Sequence, residues 1–212
     1  MARRGNRRQE ILTAALDLFN RFGEANISTN HIADELSISP GNLYYHFSNK
    51  QAIVDEIFSS FEAEMADLLV APEDKALSLE EMWLFLHILF ETVWKFRFLY
   101  HDLSDLIGRN EAIRKRFHRI ISAKRSSAVA VCQALRKAGT MNVDDASIRS
   151  LSTNIVVIMT FWLNFQTLME GPETAADDNL APAIYHVMVL VAPYLDEGPR
   201  AELIELAEAY LD

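Results

Sequence analysis

One short stretch carries most of the side chains able to do chemistry together: Ser39-Pro40-Gly41-Asn42-Leu43-Tyr44-Tyr45-His46-Phe47. Hydroxyl, amide and imidazole groups at this density suit hydrogen bonds to phosphate oxygens and to base edges, and the rings suit thymine methyl groups. Ser28 and Thr29 lie ahead of a second short apolar pattern, and Lys50 follows the first. Ser28, Ser39 and Asn49 each stand where a helix would begin, and helix N-termini attract anions. Upstream, Arg3, Arg4, Arg7 and Arg8 fall within eight residues that contain no acid. A basic arm before a small compact unit is a usual footprint of phosphate-backbone binding, although Arg-rich termini also serve as solubility tails. The chemistry implied is recognition of a polyanion.

Three helices are needed to position these groups. Ile11, Ala14, Ala15, Leu18, Phe19 and Phe22 recur with the period of one helical stripe, and Gly23 supplies a stop. Ser28 or Thr29 then caps a helix of about two turns carrying Ile32, Ala33 and Leu36. Ser37-Ile38-Ser39 breaks the pattern, and Ser39-Pro40 reads as N-cap followed by proline at the first helical position. Leu43 and Phe47, four residues apart, mark the buried side of the next helix. Gly41 and Tyr45 point almost opposite, flanked by Asn42, Tyr44 and His46. Ser48 or Asn49 caps a longer fourth helix with Ile53, Ile57, Phe61, Met65 and Leu68 on one face. Two short helices joined by a three-residue turn and steadied by a preceding helix make a helix-turn-helix. The competing reading packs Tyr44 or Tyr45 against the rest of the chain.

These residues resemble the TetR family of bacterial transcriptional regulators. The resemblance rests on Ile11 to Phe19 with Phe22-Gly23, on Ser28-Thr29 with Ile32-Ala33, and above all on Ile38 to Phe47 followed by Asn49-Lys50; it covers roughly residues 5–60. Leu36-Ser37 departs from the Ala-Gly that the family often has at the turn. The resemblance implies that Ser28 and Thr29 anchor phosphate and that Ser39, Gly41 and Asn42 enter the major groove. It also implies that Tyr44, Tyr45 and His46 touch phosphates and base edges, and that Lys50 grips a phosphate. It implies a helical ligand-binding and dimerisation domain for the remainder.

Composition narrows the alternatives. The chain has 212 residues, half of them hydrophobic, with a formal charge of −10. One cysteine excludes an intramolecular disulfide framework and a cysteine-cluster zinc site. Seven glycines and six prolines suit long helices. The overall charge argues against nucleic acid only until it is mapped: residues 1–50 net +1, and the rest carry −11. An acidic remainder would repel DNA and turn the basic end toward it. There is no phosphate-cradling Gly-rich loop, nucleophile elbow or His-Glu-x-x-His, so the chain does not read as an enzyme. His87 and Glu91 share a helix face, but two ligands make no metal site, and no cofactor is expected. The start lacks the apolar core of a signal peptide. The uncharged stretch Ser150–Met169 is long enough for a bilayer but holds eight polar residues, so a buried or interface helix and a cytoplasmic protein are expected.

Beyond the head, the sequence predicts helices over Leu79–Tyr100, Asn110–Lys137, Ala146–Met169 and Leu180–Tyr194, with a terminal helix at 198–211. The early basic residues of the second (Arg114, Lys115, Arg116, Arg119, Lys124, Arg125) read as a solvated face rather than a second DNA contact. The last two of these four carry no charge over most of their length, which suggests a surface that self-associates into a four-helix bundle. Trp83, His87, Phe90, Trp94, Phe117, Met159, Trp162 and Phe165 are pocket candidates for a small hydrophobic or aromatic ligand, against ordinary core packing for each. No Lys or Arg sits inside an apolar helix, so an anionic ligand has no evident partner. The expectation is therefore an all-α protein: a helix-turn-helix DNA-binding domain at 5–64 and a ligand-binding and dimerisation domain at 65–212. It would act as a homodimeric regulator, in the first instance a repressor, on a palindromic double-stranded DNA operator, away from membranes. Competing readings are a regulator without a small ligand and a lipid-surface binder.

Overall fold

The computed structural model describes residues 2–70, 76–171 and 181–210; the side chains of residues 2–5 and of residue 170 lie outside that description. In chain order the helices are α1 (Ala2–Phe22), α2 (Thr29–Glu35), α3 (Pro40–His46), α4 (Lys50–Leu68), α5 (Leu79–Lys95), α6 (Phe98–His101), α7 (Leu103–Arg109), α8 (Glu111–Lys137), α9 (Asp145–Glu170), α10 (Ala181–Val191) and α11 (Glu197–Glu208). Among the described residues there is no strand, only an isolated antiparallel bridge between Met141 and Leu195. The all-α class expected from the sequence is the class observed.

Two compact units form. One comprises Met1–Glu64 with Phe96–Arg116, and the other Met65–Lys95 with Phe117–Asp212. The span 96–116 of the first unit lies beyond the 5–64 stretch that the sequence marks as the head. The reason is packing. Phe96 lies 5.3 Å from Phe61, Phe98 lies 5.3 Å from Phe19, and Asn20 Oδ1 accepts the Phe98 N–H at 3.1 Å. To place both aromatics in that core the chain turns at 96–97, so the single helix expected over Leu79–Tyr100 is broken into α5 and α6.

In the first unit the local signals act as the sequence suggests. Ser28 and Ser39 are the N-caps of α2 and α3, and Asn49 Oδ1 accepts the Ala52 N–H at 2.9 Å at the start of α4. Ile11, Phe19, Ile32, Leu43, Phe47, Ile53 and Phe61 form the core. Phe22, expected on the buried stripe, is instead half-exposed, with the Arg21 guanidinium 4.8 Å over its ring. At the turn of the helix-turn-helix, Ser37 takes φ +52°, a left-handed conformation that favours glycine. Its N–H donates to Asp34 O, and the Ile38 N–H donates to Ala33 O, both at 2.9 Å, which closes α2.

In the second unit α10 packs against α5, α9 and α11, burying Ala183, Ile184, Val187, Met188 and Val191. α9 is long and apolar enough to cross a membrane by length and composition alone, and 44% of its most apolar window is buried. Its outer side carries Val157, Phe161, Phe165 and Leu168, each at least half exposed, spaced four, four and three residues apart along one face. Val189 on α10 is partly exposed as well.

Candidate nucleic-acid interface and ligand cleft

The caps decide what each hydroxyl can offer. Ser28 Oγ accepts the His31 N–H at 3.3 Å while the Ser28 N–H donates to His31 Nδ1 at 3.3 Å, a reciprocal box in which histidine stands where Glu or Gln is usual. Ser39 Oγ accepts the Asn42 N–H at 3.2 Å. Both oxygens serve the helix as acceptors, which leaves their O–H protons to donate outward.

On α3 Leu43 is buried, as is Phe47 at its C-cap, while Gly41 and Asn42 are exposed, Tyr44 is 50% exposed and Tyr45 is 64% exposed. The alternative, either tyrosine packed away, is not what the fold shows. Tyr44 OH lies 3.0 Å from Thr29 Oγ1, which joins the two short helices on their outer side. The Tyr45 and His46 rings meet edge to face at 5.2 Å. Ser39, Asn42, Tyr45 and His46 line an open concavity with Asn6, Arg7 and Glu10 of α1. Asn6 and Glu10 were not picked out from the sequence. Their signal is helical spacing with Arg7: Asn6 Nδ2 donates to Glu10 Oε1 at 2.8 Å, and Arg7 pairs with Glu10 at 2.7 Å.

The basic arm is the first turns of α1, a helix rather than an extended tail. The side chains of Arg3 and Arg4 lie outside the described residues. Arg8 turns inward: Nη1 donates to His46 O at 2.7 Å, Nε donates to Glu56 Oε1 at 2.9 Å, and the guanidinium sits 4.2 Å over the Phe47 ring. It fixes the end of α3 against α1 and α4.

Lys50 also departs from expectation. Its ammonium donates to Glu24 O and Ile27 O at 2.8 Å each and pairs with Glu24 Oε1 at 3.0 Å. An ammonium has three N–H donors, and all three are engaged, so none is left for a phosphate. The cause is Glu24, a carboxylate only 2% exposed, which would be costly without partners. Arg109 is its second partner, and that contact holds the Arg109 guanidinium above its ordinary pKa. The Glu24 N–H donates to Asp102 Oδ2 at 2.7 Å, and burial lifts the Asp102 carboxyl above its usual range. Lys50 therefore holds the turn that leads into the Ser28 cap.

The second unit contains an apolar cleft walled by α5 (Phe85, Leu86, Leu89), α8 (Lys124, Val131, Cys132), α9 (Ile155, Met159) and α10 (Val187, Val191). The open space there is about 30 Å³, room for roughly one water molecule and well below the roughly 300–1,000 Å³ of ligand sites. Of the eight pocket candidates only Met159 lines it. Phe90 and Phe117 are buried elsewhere in the unit, and Phe165 lies on the exposed stripe of α9. Trp83 stacks on His87 at 5.8 Å, and His87 Nδ1 meets Tyr210 OH at 3.2 Å. Trp162 lies 4.8 Å from the His186 ring. Trp94 is half-buried on α5 and does not line the cleft. Two readings of α8 need correction. Lys124 is 2% exposed and lines the cleft, so a cation does sit among apolar walls. Arg116 is not on a solvated face: it pairs with Glu62 at 2.6 Å and stacks 4.5 Å over Phe58.

A family model described as bacterial transcriptional repressor matches residues 60–203, and one described as bacterial regulatory proteins, tetR family, matches residues 11–57. The crystal structure of a TetR-family transcriptional regulator from Marinobacter aquaeolei VT8 superposes with a TM-score of 0.85 at 34% identity, covering 96% of this chain and 98% of that one. The HTH-type transcriptional repressor KstR2 of Rhodococcus jostii is 40% identical over 58 residues, 27% of this chain and 28% of its own length. The class A tetracycline repressor from transposon 1721 in Escherichia coli is 37% identical over 54 residues, 26% of this chain and 25% of its own length. The chain thus matches about a quarter of the length of these two curated relatives.

Proposed function

The chain belongs to the tetR family of bacterial regulatory proteins, and from that premise we propose that it is a ligand-responsive repressor that binds a palindromic DNA operator as a homodimer. Residues 5–64 form its DNA-binding domain and 65–212 its sensing and dimerisation domain; it acts in the cytoplasm and not as an enzyme. The observation that carries the reading is the exposed face of α3, where Asn42, Tyr44 and Tyr45 are exposed and His46 is half-buried beside them, on a helix whose other side is buried. Such a helix fits the major groove, with Ser28, Thr29 and Ser39 donating to the flanking phosphates. Arg7 adds charge at the rim. Arg3 and Arg4 extend it as a proposal from sequence alone.

Dimerisation is supported by the apolar stripe of α9. A two-fold axis would pair the stripe with itself and set two recognition helices about 34–36 Å apart, one turn of DNA. Ligand response is supported by the apolar lining of the cleft, which has to open to admit a ligand. A ligand that favours a different head spacing lowers DNA affinity, and by linkage DNA lowers ligand affinity by the same factor. α4, whose chain runs on from the first unit into the second, is the natural connection.

Tyr44→Ala tests the DNA face. The side chain is exposed, so the thermal unfolding midpoint stays near that of the wild type, a change within about 0.5 kcal/mol. Affinity for a selected operator, measured by fluorescence anisotropy, falls by roughly 1–3 kcal/mol, or about 5- to 150-fold. Wild-type affinity in this variant would place the DNA contacts elsewhere.

A further inference from the structure

We propose that Arg8 is a positioning residue for base recognition: through His46 it sets the roll of α3 about its own axis, and with it the places of Tyr45 and His46 against the base edges, without itself holding a phosphate. The proposal rests on the reading of α3 as the recognition helix and names a residue on which its specificity depends.

Three observations converge. First, α3 has few anchors of its own. It is seven residues long, Leu43 is its one buried residue, and the Ser39 cap holds only its N-terminus. Phe47 is buried just past its end. So small a buried face leaves the roll of the helix to whatever holds its C-terminus. Second, Arg8 is that anchor. Its Nη1 donates to His46 O at 2.7 Å, one of the last carbonyls of α3, which have no partner inside the helix. A cation there also suits the negative end of the helix. Nε and Nη2 grip the two oxygens of Glu56 on α4, and the guanidinium lies 4.2 Å over the Phe47 ring. Contacts in three directions leave the guanidinium one orientation, a geometry that a planar fork meets and an ammonium does not. The helices that carry the clamp are firmly seated: Ile11 and Phe19 on α1, and Ile53 and Phe61 on α4, are fully buried. Third, the held carbonyl belongs to a residue of the recognition face. The His46 ring meets the Tyr45 ring edge to face at 5.2 Å, and both line the concavity with Ser39 and Asn42. A helix with its side chains is about 10–12 Å across, so a roll of ~20° carries a side-chain tip by roughly 2 Å. Hydrogen-bond lengths span only about 0.5 Å. Such a roll breaks base contacts, whereas attraction to the phosphate backbone changes little. Three of the five N–H groups of Arg8 are used in the clamp. The test therefore separates positioning from a phosphate contact through the other two.

The full-length protein is bound to its selected operator and to every single-base variant of one half-site, by fluorescence anisotropy over a range of salt concentrations. In the wild type a wrong base pair costs about 5- to 150-fold in affinity. Arg8→Lys keeps the charge but not the fork. In it the penalty at base pairs read by α3 falls by about fivefold or more, while the slope of affinity against salt stays that of the wild type. The charge-neutral double variant Arg8→Met with Glu56→Gln gives the same result. Base penalties that persist in both overturn the proposal. So does a slope that falls by about one unit in the double variant with every sequence weakened alike, the mark of a lost phosphate contact. A role in stability alone lowers the unfolding midpoint and leaves the penalties of the folded protein as they were, which also overturns it. Glu56→Gln by itself keeps the cation, loosens the fork and lowers the penalties in the same direction, so the comparison stands if the Arg8 variants do not fold. A wild type that selects no motif removes the regulator reading. A wild type that discriminates, with variants that discriminate equally, removes only the role of Arg8.

Discussion

Phe161→Asp converts the protein to a monomer and lowers its operator affinity by at least about a hundredfold. Phe161 sits in the middle of the α9 stripe, half-exposed, with Val157 and Phe165 one turn to either side. Soluble monomers rarely leave a contiguous apolar strip of this kind open to water. In a two-fold assembly each substitution counts twice. Two phenyl groups lose roughly 1–2 kcal/mol apiece of remaining burial, and two carboxylates face desolvation costs of several kcal/mol each. The monomer itself keeps its fold, because the changed face is already in water. DNA affinity falls because the second head no longer binds at the high effective concentration that a shared dimer provides. Sedimentation velocity gives the mass and anisotropy the affinity. A dimer that persists in this variant would move the interface off α9.

Lys50→Ala lowers the stability of the fold. The substitution strips three bonds from Lys50 Nζ, leaves Glu24 O and Ile27 O without this donor, and leaves a 2% exposed carboxylate with Arg109 as its remaining cation. Both cations are partly exposed, so the loss is placed at roughly 2–3 kcal/mol, below the figure for a fully buried pair. In a chain of this size that shifts the unfolding midpoint down by roughly 4–12 °C. The discriminating readout is a double-mutant cycle of Lys50→Met with Glu24→Gln. The two groups touch, so their losses fail to add by roughly 0.5–3 kcal/mol. A lysine that reached only for phosphate would leave the midpoint unchanged, and the two substitutions would be additive.

The contrast between these two residues shows what sequence can carry. The head was legible because its signals are local. Ser39-Pro40 marks the start of α3, Leu43 and Phe47 mark its buried side, and Gly23 marks the end of α1. Hydrogen-bond partners distant in sequence leave no such trace. Lys50 reaches carbonyls 23 and 26 residues away, Arg8 reaches a carboxylate 48 residues away, and Glu24 meets Arg109 across 85 residues. A basic residue beside a DNA-binding helix therefore reads as a phosphate ligand until the fold supplies its acid. The break between α5 and α6 was hidden for another reason: no glycine or proline marks 96–97, and the turn is imposed by aromatic packing in the first unit.

Lys124 is legible in the sequence as part of an apolar stripe. Phe117, Ile120, Lys124, Ala128, Val131 and Leu135 recur at steps of three and four, so the lysine lies on the apolar stripe of α8. The basic residues on either side of it mask that position. The pocket aromatics failed the other way. Large apolar side chains on an apolar helix have the same signature in a core, an interface or a cleft, and only packing separates Phe90, Phe165 and Met159.

We propose that the exposed face of α3, presented twice, reads a two-fold DNA sequence. The most direct measurement is selection of bound duplexes from a random DNA pool by the full-length protein, without ligand. One inverted repeat is enriched, its half-sites centred about one helical turn, roughly 10 base pairs, apart, and Tyr44→Ala weakens its capture. A pool that stays random through successive rounds, or that enriches equally with Tyr44→Ala, would contradict this role of α3.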